Sequence, residues 1–285
     1  MASSLSKFVL KIMETILVAT DFSKPGNSAV EYAAHLARFL NTKLVIVHAF
    51  KLPLGGYNIE APLDTVSEMR RSAENSLELI RDQLLHNSYD FGIEIHADLG
   101  RTIEVIKDVA DKYNADLVVM GMTGEAGKIK QHVIGNTALN AANELVLPVL
   151  IISEHVTYQP IHHICLAAEL QGIEESTLIY SARDVAQMFN ATLEIVTVES
   201  ADKTRKGRSP ETYSFIDKKL KDLKHRQVMI HEEDRLLALE YYFKFHETDL
   251  VIVNPKKHSF FQELFGDSVT KHLAFHIRVP LLILK

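Results

Sequence analysis

Only one cysteine, Cys165, occurs in the 285 residues of this chain. An internal disulfide is therefore impossible, and no thiolate zinc site can be assembled. Scarce cysteine is in keeping with a reducing cytoplasm, the compartment expected here. Cys165 lies in the apolar run Ile164-Cys165-Leu166 and reads as a small core residue. Positive charge is also short: Lys+Arg number 31 against 37 Asp+Glu, a formal net charge of -6. That balance argues against a nonspecific nucleic-acid binder, which needs a basic face to neutralise phosphates. No stretch approaches the ~20 apolar residues of a membrane span, so no membrane partner is expected. Near the start, Phe8-Val9-Leu10 stands between Lys7 and Lys11. This run is too short for a signal-peptide core and lacks a small-residue cleavage site, so it reads as a leader or a short helical arm.

What the chain does have is one pattern written twice. Strand-like runs rich in Val, Ile and Leu fall at 15–20, 43–50, 93–99, 116–122 and 148–153, nearly continuous as in strands buried on both faces of a parallel sheet. Helical spacing separates them at 29–40, 66–85 and 102–113, and a further helix opens at Gly135-Asn136-Thr137. The second half repeats the order with strands at 164–170, 192–198, 227–232, 249–254 and 280–285. Asn114-Ala115-Asp116-Leu117-Val118-Val119 is echoed by Glu247-Thr248-Asp249-Leu250-Val251-Ile252, and Leu147-Pro148-Val149-Leu150 by Val279-Pro280-Leu281-Leu282. The pattern predicts an α/β protein of two tandem Rossmann-like domains, 1–154 and 161–285, each a five-stranded parallel sheet with helices on both faces. The joining segment 155–160 is too short to let the copies wander, so they are expected to pack as an intramolecular pseudo-dimer, with a homodimer left open.

In such sheets ligands bind beyond the carboxyl ends of the strands, where the strand order reverses. Two loops of the first half suit this. One is Ala19-Thr20-Asp21-Phe22-Ser23, after the first strand. The other runs from Met120-Gly121 through Gly124, Gly127, Lys128 and Lys130 to Gly135-Asn136-Thr137. Its glycines permit positive φ and close approach of a ligand to the backbone. The helix start at Gly135 offers free N–H groups and a partial positive charge to phosphate oxygens. Asn136 and Thr137 add hydrogen-bonding side chains, while the two lysines read first as solvated. Asp21 either accepts a hydrogen bond from a base or ribose, or caps the helix after Pro25; the residues alone favour capping.

The spacing Gly121-x2-Gly124-x10-Gly135-Asn136, with the strand ending in Thr20-Asp21 and the closing Leu147-Pro148-Val149-Leu150, resembles the universal stress protein family. The resemblance spans both halves. It implies the adenine nucleotide alpha hydrolase-like fold, strand order 3-2-1-4-5, with ATP, alone or with Mg2+, in the first domain only. Carried over by position, Thr20 and Asp21 lie at the adenosine end, Ala49 offers backbone groups to the adenine, and Met120 and Gly121 border the ribose. Gly124, Gly135, Asn136 and Thr137 hold the phosphates. Two departures stand out: one extra residue in the last spacer, and Asn136 in place of a hydroxyl residue. The implied role is stress response or regulation through conformation or an unidentified protein partner. The rival reading is an adaptor with both sites vestigial.

The second half departs further. Glu169 replaces Asp21, Asn254 and Lys257 replace Gly121 and Gly124, and Asp267 of Gly266-Asp267-Ser268 sets a negative charge where a phosphate would lie. No nucleotide is expected there. Lys257-His258-Ser259-Phe260-Phe261 is either a contact surface or packing within its own domain. His272 and His276 share a helix face but lack a third metal ligand, so no metal site is expected. His162-His163 has no assigned role, the acidic run after His231 fits a helix start, and His48 reads as packing or hydrogen bonding rather than as a base. No catalytic residue is assigned, and any ATP hydrolysis should be slow.

Overall fold

The computed structural model describes residues 13–52, 63–86, 92–122, 136–170, 173, 177–199, 210–254 and 279–284. The chain divides into two compact units, one of them Met13–Tyr158 and the other running from Gln159. In the first unit β1 (Thr15–Ala19), β2 (Lys43–Phe50), β3 (Ile93–Leu99), β4 (Leu117–Met122) and β5 (Val149–Ser153) form a parallel sheet in the order β3-β2-β1-β4-β5. Helices α1 (Lys24–Leu40), α2 (Leu63–His86), α3 (Thr102–Tyr113) and α4 (Asn136–Glu144) connect them. The central strands are apolar throughout because both faces are covered: Ile16, Leu17, Val18, Leu44, Val45, Ile46, Val118 and Val119 are all fully buried. The outer strand β3 is only half-buried, and its residues are accordingly mixed.

The second unit repeats the plan. Here β6 (His163–Ala167), β7 (Thr192–Glu199), β8 (His225–His231), β9 (Leu250–Val253) and β10 (Leu281–Ile283) run in the order β10-β9-β6-β7-β8, with α5 (Leu178–Phe189), α6 (Pro210–Lys219) and α7 (Arg235–Phe245) between them. In each unit the order reverses between the first and fourth strands, the switch point of a doubly wound sheet.

The echoed sequence segments have a physical cause. Asp116 Oδ2 accepts the backbone N–H groups of Glu14 and Thr15 at 2.8 and 3.2 Å. Asp249 Oδ2 accepts those of His162 and His163, both at 2.8 Å. Each aspartate thus closes the open end of its unit's first strand, satisfying donors that have no ladder partner. The helix ends are duplicated too. Asn41, Asn114 and Asn190 end α1, α3 and α5 with φ of 54°, 51° and 51°, a left-handed conformation that asparagine tolerates. Residues 155–158, expected as linker, pack on the first unit: Val156 is buried, and the Tyr158 ring stacks on His35 at 5.2 Å.

Candidate functional site

The carboxyl end of β1 is held by a chain of short contacts. Thr20 N–H donates to Val47 O at 3.0 Å, extending the ladder by one residue. The Thr20 side chain is buried, and its Oγ1 accepts the Phe22 N–H at 3.0 Å. Phe22 has φ of 63°, a left-handed conformation costly for a bulky residue. The strain is held by its surroundings: its ring lies 4.3 Å from the His48 ring, and its carbonyl accepts from Asn27 Nδ2 at 3.4 Å. His48 Nδ1 lies 2.8 Å from Thr20 O. A carbonyl only accepts, so Nδ1 carries the hydrogen and the ring ties β2 to the loop after β1. This is the hydrogen-bonding role expected of His48.

Asp21 is exposed, and it is not the helix cap. Its Oδ1 accepts the Ser23 N–H at 3.0 Å and also the Ser23 hydroxyl. Ser23 is the N-cap of α1, its Oγ accepting the Gly26 N–H at 3.3 Å. Asp21 therefore braces the cap from two positions upstream. Ser23→Ala should cost about 1 kcal/mol of first-unit stability in denaturant unfolding, and the Asp21 carboxylate keeps the backbone N–H of residue 23 but loses the hydroxyl.

Gly121 lies where the end of β4 meets the first turn of α1. A β-carbon there would stand 2.3 Å from Pro25 O and 2.8 Å from Gly26 N. At Gly26 it would stand 2.7 Å from Asp21 Oδ1 and 2.9 Å from Thr20 Oγ1. Two glycines thus let the helix start, the loop and the end of β4 share one small volume. Gly26 was not singled out from sequence; its only local signal is the Ser-x-Pro-Gly run typical of a helix start.

Ala49 sits half-buried near the end of β2, in register with Asp98 on β3. Arg70 of α2 pairs with Asp98 at 2.8 Å and donates to Ala97 O at 2.7 Å, fixing that helix beside the strand ends. Burial works to raise the Asp98 pKa, but the Arg70 bond and the Leu99 N–H outweigh it and hold the carboxyl below its usual value. Met120 is buried in β4, and Thr137 is exposed in the first turn of α4. Thr20, Asp21, Met120 and Gly121 therefore flank the switch point, with Ala49 on the adjoining strand. Gly124, Gly127, Lys128, Lys130, Gly135 and the Asn136 side chain lie outside the described residues.

At the matching place the second unit lacks this scaffold. The ladder bond persists, Ala168 N–H to Val196 O at 3.1 Å, but Ala168 has no hydroxyl to hold a turn. Thr177 precedes α5 without a side-chain cap bond, and α5 has 12 residues against 17 in α1. Asn254, in the Gly121 position, carries the side chain that the first unit has no room for. Lys257, the segment through Phe261, Gly266-Asp267-Ser268, His272 and His276 lie outside the described residues.

The first unit is thus a doubly wound parallel domain with a braced loop and a close-packed glycine at its switch point. Residues 13–153 match the Universal stress protein family, and through this unit the chain belongs to that family. It is similar to Universal stress protein MJ0531 of Methanocaldococcus jannaschii, at 23% identity over 147 residues, covering 50% of this chain and 84% of that protein. Among solved structures, a universal stress protein from Archaeoglobus fulgidus aligns over 95% of this chain and 98% of its own, with a TM-score of 0.71 at 15% identity. A protein of unknown function from Pseudomonas aeruginosa aligns over 96% and 92%, with a TM-score of 0.61 at 14% identity. At such identities the two structures establish a shared fold. No helix among the described residues is long and apolar enough to cross a membrane.

Proposed function

We propose that the first unit binds an adenine nucleotide at the switch between β1 and β4, and that the chain acts in stress response by conformation or partner binding rather than by turnover. The observation that carries this is the prebuilt loop at the end of β1. Thr20 and Asp21 are locked by His48 and Ser23 before any ligand arrives, which lowers the ordering cost of binding. In this reading Ala49 presents backbone groups to the base, Thr20 and Asp21 meet the adenosine, and Met120 and Gly121 line the ribose. Gly124, Gly135, Asn136 and Thr137 take the phosphates, at the start of α4, where a helix favours anions. The side chains at Asn254 and the missing hydroxyl at Ala168 favour nucleotide in the first unit only.

Mass spectrometry of small molecules released from the purified chain should find an adenine nucleotide. Millimolar ATP with Mg2+ should raise the thermal midpoint by a few degrees, since a ligand that binds only the folded state stabilises it. An empty extract together with an unmoved midpoint would leave the adaptor reading in its place.

A further inference from the structure

Glycine is a poor helix residue, yet α1 carries one in its first turn. Gly26 is buried, and its φ lies outside the left-handed region, so backbone freedom does not explain it. What it supplies is space. A β-carbon there would come within 2.7 Å of Asp21 Oδ1, 2.9 Å of Thr20 Oγ1 and 3.2 Å of Asp21 N. Thr20 is buried, and its Oγ1 is committed to the Phe22 N–H. The helix turn is held as well, because Gly121 approaches Pro25 and Gly26 too closely for a β-carbon of its own. Of the groups around Gly26, the exposed Asp21 carboxylate is the one that can swing.

The two oxygens of that carboxylate are placed differently. Oδ1 accepts from the Ser23 N–H and hydroxyl, while Oδ2 has no hydrogen bond among the described residues. Oδ2 is the acceptor left for a ligand, and the room at Gly26 fixes where it stands. The second unit has neither half of this device. Glu169 stands where Asp21 does, and Glu174 follows it at the spacing at which Gly26 follows Asp21. We infer, on the adenine-nucleotide reading above, that Gly26 is a positioning residue of the site: it seats the Asp21 carboxylate and through it sets the affinity for the nucleoside. With alanine at 26 the methyl group drives Oδ1 off Ser23, and Oδ2 turns away from the donor it should meet.

Gly26→Ala tests this. Alanine favours the helix, so the first unit should keep its thermal midpoint to within a few degrees. Binding should not survive as well. Calorimetric titration should show the affinities for ATP and for adenosine both lowered by about tenfold or more, the loss of one hydrogen bond to a charged group. The two ratios should match, because the phosphates do not meet Asp21. Two further measurements need no nucleotide. The Ser23 amide proton, deshielded by its bond to Asp21 Oδ1, should move upfield in the nuclear magnetic resonance spectrum of Gly26→Ala. In an Asp21→Ala background the carboxylate is gone, so adding Gly26→Ala should shift the midpoint more favourably than in the unaltered chain, by about 2 °C or more. Should Gly26→Ala alone fail to fold, the double variant should fold. Unchanged affinity in Gly26→Ala, a loss confined to ATP, an unmoved Ser23 resonance, equal shifts in the two backgrounds, or a double variant that also fails to fold would each overturn the inference. If the unaltered chain binds neither ligand, the nucleotide reading fails instead, and the Ser23 resonance and the paired variants still decide whether Gly26 seats Asp21.

Discussion

Gly121→Val should lower first-unit stability by about 3 kcal/mol, the upper end of what overpacking costs, and should abolish nucleotide-dependent stabilisation. The size follows from what the new side chain would strike. Its β-carbon would lie 2.3 Å from Pro25 O and 2.5 Å from Pro25 C. Those are backbone atoms in the first turn of α1, so no rotamer change relieves the clash. Either β4 gives up its pairing at Gly121 with Ile152, or α1 moves off the sheet. Moving α1 drags Ser23 with it and undoes the Asp21 brace. Thermal unfolding followed by circular dichroism should show the first-unit transition several degrees lower. Asn254→Val, at the matching place in the second unit, should move its transition by less than 1 kcal/mol, roughly the range of ordinary surface changes. Equal effects at the two positions would mean that the close approach at Gly121 is not what separates the units.

The strands were legible because each is a short, nearly unbroken apolar run, and burial on both faces leaves little else such a run can be. Helix α1 was legible only from Ala29 onward, although it starts at Lys24. Its first turn, Lys24-Pro25-Gly26-Asn27, carries no apolar period, and the contacts that hold it come from Thr20, Asp21 and Gly121. Asp21 misled for a related reason. Aspartate and serine both cap helices, and only coordinates show that Ser23 does so with Asp21 behind it. The exposed Leu237, Tyr241 and Phe245 of α7 are not legible in the sequence because apolar residues on both faces of a helix erase the contrast that periodicity detects. His48 was legible as a neighbour of the site, but its bond to Thr20 O depends on β1–β2 register, which sequence does not set.

The second unit should lose most from a change in the sheet interior. Glu194 on β7 is largely buried, accepts the Tyr242 hydroxyl from α7, and pairs with Arg226 on β8 at 2.6 Å. It lies in register with Cys165, whose thiol is pushed well up by burial and by the nearby carboxylate. The first unit meets the same packing problem with Val45 and Val109, both buried. Glu194→Val therefore does not simply copy the sister unit. It leaves the Tyr242 hydroxyl, on a residue 3% exposed, without its acceptor, which costs about 2–3 kcal/mol. Tyr242→Phe alone should cost about 1 kcal/mol. The double variant, nearer the first unit's apolar solution, should recover more than 1 kcal/mol, roughly, of the sum because neither group is then stranded. Cys165 is the one thiol in the chain and is buried, so its labelling by a thiol reagent reports the opening of this unit alone. Glu194→Val should speed labelling by about a hundredfold and the double variant by far less, each tenfold being about 1.4 kcal/mol. Additive effects of the two substitutions would show that the carboxylate and the phenol are not coupled, and that Arg226 alone holds Glu194 in the sheet.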